Sequence, residues 1–217
     1  MFMTAFITVV AAFLMGSVNF AVIFSKLFMH KDIRNIGSGN AGTTNVMRAG
    51  GFVPGALTFV CDFLKGFFAS GLGLLIFRYI SENAGSANSV YDPKLGAFIC
   101  GIFCMLGHVF PVFFNFKGGK GVATGAGIMF VCSPKSAIIG LCVFALALVI
   151  SKYVSLSSIV ATVVTVISTI VLSFGEEETM VLPKIIFTLL MGIIICLKHS
   201  SNIKRLINGE ERKIGRK

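Results

Sequence analysis

The chain alternates long apolar stretches with short polar segments, and the apolar stretches give the first prediction. A transmembrane helix needs about 20 mostly apolar residues, and its backbone must satisfy its own hydrogen bonds because lipid offers none. Five stretches are long enough: residues 4–27, 54–80, 95–116, 154–174 and 180–197. They predict five membrane-spanning helices.

A sixth apolar stretch, residues 121–150, is interrupted by Ser133, Pro134 and Lys135. Proline breaks or kinks a helix, and each of the two pieces is short for a full crossing. The pattern alone therefore leaves three readings open: two spans, one bent span, or a re-entrant half-helix followed by a span.

Composition agrees with a membrane protein. Hydrophobic residues make up 55% of the 217 positions and charged residues only 13%, yet the formal net charge is +10. The first 25 residues carry no charged side chain, so we expect a retained first span rather than a cleaved signal peptide. The six cysteines all lie in apolar stretches without a CxxC pair, which indicates buried thiols rather than a metal site.

The positions of the cations decide how the interrupted stretch is interpreted. If the chain starts outside and both pieces cross, most of the 19 Lys and Arg residues lie on the inner side, as the positive-inside rule requires. The acidic run at 176–178 then lies outside. We therefore predict an all-α polytopic integral membrane protein with seven transmembrane helices, the N-terminus outside and the C-terminus cytoplasmic. We expect residues 1–217 to form a single membrane-embedded domain.

This topology places three polar segments on the inner side, and the first covers residues 35–51. It combines several glycines with Ser38, Thr43, Asn45 and Arg48. Glycine lets backbone N–H groups turn toward a ligand, and hydroxyl, amide and guanidinium groups donate to phosphate oxygens. The composition favours an anion-binding loop over a flexible linker.

The second segment covers residues 108–124. Lys117 and Lys120 surround the pair Gly118 and Gly119 at the start of an expected helix, where the helix dipole also favours an anion. The spacing GxxxxGK[ST] of a nucleotide P-loop is absent, so a mononucleotide site is disfavoured. Contact with lipid headgroups is the simpler alternative for the two lysines. His108 is expected about two turns inside its helix, as either a packing or a functional residue.

The third segment covers residues 198–211. His199, Asn202 and Arg205 follow one another at intervals of three, which places them on one helical face if the last span continues past the membrane. In the second span, Asp62 and Lys65 are also three residues apart and close enough to pair. A functional site and a mutually neutralised structural pair are both open for them.

Together these segments offer cations, hydroxyls and amides with few carboxylates, which predicts a site for one or two phosphates. Paired carboxylates for two-metal chemistry are missing, so we expect no metal. The positive net charge is explained by the positive-inside rule together with an anionic ligand. No nucleic acid is therefore expected as a partner. Two alternatives are a membrane transporter of a phosphorylated metabolite and a lipid-binding membrane subunit.

The motifs read GSGNAGTTNVMRAGG at residues 37–51, FKGGKGVATGAG at 116–127 and KHSSNIKRLINGEE at 198–211, with DFLKG at 62–66. In this order, separated by hydrophobic spans, they resemble the signature segments of the bacterial acyl-phosphate:glycerol-3-phosphate acyltransferases. The resemblance covers nearly the whole chain. It is specific, because three separate motifs agree in order and topology.

The resemblance implies a membrane enzyme that transfers a fatty acyl group from acyl phosphate to the sn-1 hydroxyl of glycerol 3-phosphate. The products are lysophosphatidic acid and phosphate, in the first acylation of phospholipid biosynthesis. It implies no cofactor, and a multi-pass location in the cell inner (plasma) membrane with the active site on the cytoplasmic face. The expected partners are acyl phosphate, glycerol 3-phosphate, membrane lipids and the enzyme that makes acyl phosphate.

The site residues are carried over position by position. The expected catalytic residues are Ser38, Arg48, Lys117, His199 and Asn202. The residues expected to bind substrate or phosphate are Asn40, Thr43, Asn45, Lys65, His108, Gly118, Gly119, Lys120, Gly121, Thr124, Arg205 and Glu210. The family pattern often has Ala at the position of Thr43.

A mechanism follows from the chemistry of the donor. Acyl phosphate is an activated mixed anhydride, so the enzyme must position and stabilise charge rather than supply a nucleophile. We expect the basic residues of the first two segments to hold the phosphates, and His199 and Asn202 to orient the glycerol hydroxyl. The proton acceptor is open among His199, His108 and the leaving phosphate.

Overall fold

The computed structural model describes residues 1–83, 91–174 and 179–215. Helices dominate this part of the chain, as the all-α prediction requires. The chain separates into two compact units, Met1–Cys132 and Ser133–Lys217. The predicted outer acidic run, residues 176–178, and the last two basic residues of the tail lie outside the described residues.

The first unit is built around one long helix, α4, which packs against α1, α5 and α6. Two 3₁₀ helices, Ile33–Asn35 and Val112–Phe114, lie in its connections. The α-helices of this unit are α1 (Phe2–Ser17), α2 (Phe20–Met29), α3 (Thr43–Gly50), α4 (Phe52–Asn83), α5 (Pro93–Val109) and α6 (Val122–Cys132).

Glycines let the helices of the first unit approach closely. A methyl group on Gly66 of α4 would overlap the carbonyl oxygen of Thr124 in α6, and one on Gly73 of α4 would overlap the carbonyl oxygen of Gly96 in α5. Small residues have this role in membrane interfaces, where packing replaces the hydrophobic effect as the driving force.

The first span is broken between Ser17 and Phe20, where the sequence predicts one continuous helix. Asn19 caps α2, because its Oδ1 accepts from the N–H of Val22 at 3.2 Å. The carbonyl oxygen of Val18 accepts from Lys65 Nζ at 2.7 Å. No proline lies at this break, which directly follows Gly16 and Ser17, and the Lys65 ammonium group satisfies a backbone oxygen that the break leaves without its helical partner.

The end of α5 also differs from the prediction. The expected span runs to residue 116, but the helix ends at Val109, two residues before Pro111. Proline has no N–H and disfavours helical geometry in the residue before it. His108 therefore lies in the last turn of α5, and the prediction that it lies two turns inside is wrong.

The second unit contains α7 (Pro134–Ser151), α8 (Val154–Ser173), α9 (Val181–Lys198) and α10 (Ser200–Ile207). α8 packs against α7, α9 and α10. Hydroxyls on α8 donate to carbonyl oxygens four residues earlier, as Ser158 does to Val154 at 2.8 Å. This satisfies polar groups inside an apolar helix.

Six helical segments of the described chain are long and apolar enough to cross a membrane. The interrupted stretch forms two helices, α6 and α7, as expected both for two spans and for a re-entrant half-helix followed by a span. α6, however, has 11 residues, against the roughly 20 of a full crossing. The six segments are Phe2–Met29, Phe52–Asn83, Pro93–Phe114, Pro134–Ser151, Val154–Ser173 and Val181–Lys198.

Candidate functional site

The loop before α3 is held in place by the side chain of Asn45, which is 4% exposed. Its Nδ2 donates to the carbonyl oxygens of Ile36 at 2.9 Å, Asn40 at 3.1 Å and Ile33 at 3.2 Å. Its Oδ1 accepts from the N–H of Ser38 at 3.2 Å. These bonds all go to backbone, so Asn45 shapes the loop instead of pointing at a ligand as the sequence predicted.

Two glycines make this loop possible. Gly37 and Gly39 have φ angles of 61° and 69°, in the left-handed region that other residues adopt at a cost. A side chain at Gly37 would also overlap Asn45 Oδ1. The tight course of the loop leaves Ser38 and Arg48, two of the predicted catalytic residues, exposed at the surface of the first unit.

The glycine pair of the second segment packs against the end of α5. The N–H of Gly119 donates to the carbonyl oxygen of His108 at 3.2 Å. A Cβ on Gly118 would overlap that same oxygen, and a Cβ on Gly119 would overlap His108 Nε2. The N–H of Gly119 is thus engaged, which corrects the expectation that this amide binds phosphate: the pair is needed for close packing.

The first and second segments meet at Gly119. A Cβ placed there would lie 2.6 Å from the carbonyl oxygen of Ala41, so the loop of the first segment lies directly against the second. Lys117 is exposed and Lys120 half-buried on either side of the pair. The structure thereby brings two of the three predicted segments together in the first unit.

Two predicted ligands of the second segment occupy packing positions. Gly121 has a φ of 84° and faces the sulfur of Met105, with which a Cβ would overlap. Thr124 is fully buried in α6, with its carbonyl oxygen against Gly66 of α4. The structure places Thr124 in the helix interface rather than in the loop, because α6 begins at Val122.

Sequence reasoning missed Arg34, which lies just before the first segment and bonds to Phe114 of the second segment. Its Nη1 donates to the carbonyl oxygen of Phe114 at 2.8 Å, and its guanidinium group lies 6.0 Å from the Phe114 ring centroid. Asp32 fixes its orientation, with Oδ2 2.7 Å from Arg34 Nη2. The hydrogen bond from Arg34 lowers the pKa of Asp32. The signal in the sequence is the Asp-x-Arg spacing next to the glycine loop.

A buried charged group lies beneath these segments. Asp62, Lys65 and His108 are 2%, 4% and 4% exposed. Lys65 Nζ lies 2.8 Å from Asp62 Oδ1, as the predicted pairing requires, and His108 Nδ1 lies 3.6 Å from the same oxygen. Lys65 Nζ also lies 5.6 Å from the Phe20 ring centroid. Its ammonium group is directed into the unit, so it is not at the surface with Lys117.

The third segment belongs to the second unit, where His199 lies between α9 and α10. It is 3% exposed, and its Nδ1 is 2.8 Å from the carbonyl oxygen of Ile195. A carbonyl oxygen only accepts, so Nδ1 carries a hydrogen, and Nε2 is the basic atom of the neutral ring. Because α9 ends at Lys198 and α10 begins at Ser200, the helix that the sequence predicts to be continuous is interrupted at His199.

Glu211 organises the rest of this segment. Its Oε1 accepts from Asn202 Nδ2 at 2.7 Å and from Ser155 Oγ at 2.8 Å, and its Oε2 accepts from Arg205 Nε at 2.7 Å. Burial raises the pKa of Glu211, but the hydrogen bonds from Arg205, Asn202 and Ser155 outweigh it, so the pKa lies below the usual 4.5.

The sequence prediction named Glu210, whereas the structure places Glu211 against Asn202 and Arg205. Glu210 is exposed, and Glu211 is the one that meets Asn202 and Arg205. Gly209, with a φ of 71°, turns the chain after α10 so that residue 211 points back. Asn202 and Arg205 do lie on one face of α10, as predicted, because both reach the same carboxylate.

The chemistry these residues offer is that of anion binding. Three cations of the first unit, Arg48, Lys117 and Lys120, lie on or beside the two segments that meet at Gly119. No group of three His, Cys, Asp or Glu side chains within the described ranges could hold a metal ion. A loop of this kind can hold phosphate through charge-assisted hydrogen bonds.

Known proteins agree with this interpretation. The family model for glycerol-3-phosphate acyltransferase matches residues 6–209. The chain is 39% identical over 208 residues to glycerol-3-phosphate acyltransferase 2 of Bacillus anthracis, covering 96% of this chain and 98% of that one. It is 40% identical over 215 residues to the glycerol-3-phosphate acyltransferase of Thermoanaerobacter sp. (strain X514), covering 99% and 98%.

Solved structures agree as well. The glycerol 3-phosphate form of PlsY (YgiH), an integral membrane glycerol 3-phosphate acyltransferase, matches with a TM-score of 0.80 at 36% identity, over 97% of this chain and 96% of that one. Its lysophosphatidic acid form matches with a TM-score of 0.77 at 35% identity, over 97% and 95%. The helical fold and these similarities define an integral membrane protein of the acyltransferase class. The chain belongs to the glycerol-3-phosphate acyltransferase family.

Proposed function

We propose that this protein transfers a fatty acyl group from acyl phosphate to the sn-1 hydroxyl of glycerol 3-phosphate. The observation that carries the proposal is the meeting of two glycine-rich, cation-bearing segments at Gly119, in a chain of this family. Both substrates carry phosphate. Two neighbouring segments with exposed Arg48 and Lys117 are better suited to bind two phosphate groups than to bind an uncharged acyl acceptor.

The first unit supplies the phosphate-binding groups. Arg48, Lys117 and Lys120 neutralise the phosphate charge, and the exposed hydroxyl of Ser38 donates a hydrogen bond. Asn45 acts indirectly, through the loop geometry that its four backbone hydrogen bonds impose. Positioned charge of this kind stabilises a transition state without reorganising when the reaction occurs.

The reaction needs no covalent intermediate on the enzyme. The glycerol hydroxyl oxygen attacks the acyl carbon, the bond between that carbon and the phosphate oxygen breaks, and inorganic phosphate leaves. The hydroxyl proton goes to His199 Nε2 or to an oxygen of the leaving phosphate. We assign Asn202 and His199 to orienting the hydroxyl, supported by the fixed ring of His199.

The role of His199 is tested by the pH dependence of the rate. If Nε2 accepts the proton, His199→Ala loses about 100-fold or more of kcat and the acidic limb of the wild-type pH–rate profile disappears. A loss of only a few-fold with an unchanged profile assigns the proton to the leaving phosphate.

We further propose a multi-pass location in the plasma membrane with the active site on the cytoplasmic face. Basic residues near the motifs support it through the positive-inside rule, with α6 as a short seventh crossing, N-terminus outside and C-terminus inside. Fusing a reporter to each terminus tests this, because opposite sides are expected for seven crossings and the same side for six. The enzyme that makes acyl phosphate is the proposed partner, to be tested by co-purification.

The activity itself is tested with purified protein in detergent micelles. Palmitoyl phosphate and glycerol 3-phosphate should give lysophosphatidic acid and inorganic phosphate in equal amounts. Palmitoyl-CoA and palmitoyl acyl carrier protein are the control donors, and product from either one in place of palmitoyl phosphate contradicts the proposed donor. An absence of product with every donor contradicts the enzymatic function.

A further inference from the structure

We propose that Asp62 and Lys65 are positioning residues for the phosphate site, acting through His108 on the glycine pair at 118–119. The inference rests on the proposed function and deepens it. It decides between the two roles that the sequence leaves open for the charged pair. Neither residue contacts substrate in this account, and their effect is expected in substrate affinity.

Asp62 lies within reach of both Lys65 and His108. Asp62 Oδ1 lies 2.8 Å from Lys65 Nζ and 3.6 Å from His108 Nδ1, so one carboxylate oxygen faces two groups. All three residues are at most 4% exposed. In so dry an environment the carboxylate strongly favours one orientation of the imidazole ring.

The second step is the contact between His108 and Gly119. The carbonyl oxygen of His108 accepts from the N–H of Gly119 at 3.2 Å. The ring of the same residue lies beside the Gly119 α-carbon, close enough that a Cβ would overlap Nε2. His108 therefore holds Gly119 with its backbone and limits its movement with its ring.

Gly119 in turn lies where the two phosphate-binding segments meet. It lies against the carbonyl oxygen of Ala41 in the first segment and between Lys117 and Lys120 in the chain. If the imidazole ring turns, the Gly119 backbone moves, and the spacing between the two phosphate-binding segments changes with it. A displacement of about 1 Å in such a site can cost 100-fold in rate or affinity.

Lys65 completes the arrangement by fixing Asp62. Its Nζ also donates to the carbonyl oxygen of Val18 at 2.7 Å, in the break between α1 and α2. The ammonium group is thus committed to the interior of the unit. This geometry assigns Lys65 a supporting role and removes it from the phosphate ligands predicted from the sequence.

The test compares the buried pair with an exposed pair on the same helix. Arg78 and Glu82, also on α4, lie 3.9 Å apart with side chains 63% and 69% exposed. The variants are Asp62→Asn, Lys65→Met, the double variant that combines these two changes, and the control double variant Arg78→Met with Glu82→Gln. Steady-state kinetics with palmitoyl phosphate give KM for glycerol 3-phosphate and kcat, and thermal unfolding in detergent gives Tm.

We expect Asp62→Asn to raise KM for glycerol 3-phosphate about tenfold or more while kcat changes less than about threefold. The double variant removes both buried charges, so its Tm should return toward the wild-type value while KM stays high. A wild-type Tm with a raised KM distinguishes a positioning role of the pair from a role in folding stability. The control pair should leave KM, kcat and Tm unchanged.

A further variant, His108→Gln, tests whether Asp62 acts on Gly119 through the His108 ring. Its effect on KM should not add to that of Asp62→Asn, because both changes act on the same ring. Additive effects, or a wild-type KM in the double variant, would overturn the inference. A KM that rises with Lys65→Met but not with Asp62→Asn would also overturn it, since that result makes Lys65 a phosphate ligand. Wild-type protein without activity would instead contradict the proposed function.

Discussion

The glycine loop of the first unit and the C-terminal segment of the second unit are both fixed by one polar side chain, but of different kinds. Asn45 fixes the loop with a neutral amide that bonds only to backbone. Glu211 fixes its segment with a carboxylate that bonds to three side chains. A neutral amide keeps its bonds at any pH, whereas a carboxylate keeps them only while ionised. The two regions should therefore respond differently to substitution and to acid.

The largest effect is expected at Gly119, where the first unit has no spare space. In Gly119→Ala the new methyl group overlaps His108 Nε2 and approaches the Ala41 carbonyl oxygen, so the two segments must separate. We expect kcat/KM for glycerol 3-phosphate to fall by about 100-fold or more. The control is Gly71→Ala in α4, where a Cβ meets nothing within 4 Å. Equal kcat/KM values for the two variants would show that the close packing at Gly119 does not affect activity.

A smaller but pH-independent effect is expected at Asn45. Asn45→Ala introduces no titratable group, and it removes both the acceptor for the Ser38 N–H and the donor that three carbonyl oxygens require. We expect the free energy of unfolding to fall by about 1–3 kcal/mol and kcat/KM to fall with it. Denaturation at two pH values measures the first and the activity assay the second. The exposed Asn35 supplies the control Asn35→Ala, and an equally mild result at both positions would rule out a loop-shaping role.

The smallest effect is expected at Glu211, and it depends on pH. The pKa of Glu211 is lowered below 4.5, so its hydrogen bonds stabilise the fold above that value and are lost as the pH falls through the lowered pKa. At pH 7 Glu211→Gln should cost about 1 kcal/mol, measured as a fall in Tm. The difference from wild type should shrink below pH 4.5, because the protonated glutamate then resembles glutamine.

Glu210 provides the matched control for this region. It is adjacent in sequence but exposed, so Glu210→Gln should leave Tm unchanged across the pH range. If Glu210→Gln lowers Tm as much as Glu211→Gln does, the contribution comes from general charge in the tail and not from the contacts with Asn202 and Arg205.

The sequence was sufficient for the parts of the fold that depend on local composition. Apolar length located the long helices, and Pro134 located the boundary between α6 and α7. The break at Val18 and Asn19 has one local signal, the capping residue Asn19, but its other partner, Lys65, lies 47 residues away in the chain. A polar group that satisfies a helix end from another helix leaves no local pattern.

The same reasoning explains the errors at the site. Residue type predicted phosphate chemistry, but it could not distinguish an amide that faces a ligand from one that holds a loop, as Asn45 does. Glu210 and Glu211 are equivalent by composition, and only the turn at Gly209 separates them. Arg34 was missed because its acceptor, the Phe114 carbonyl oxygen, is 80 residues distant.

The spacing of Asp62 and Lys65 also bears on how the chain enters the membrane. An ionised side chain at the centre of an inserting helix costs about 2.5–3.5 kcal/mol on translocon-based scales. Since the two charges lie three residues apart on one helix and 2.8 Å from each other, α4 carries its own counter-ion as it leaves the translocon. The pair on α4 therefore needs no counter-ion from another helix, and His108 of α5 adds a third group beside it.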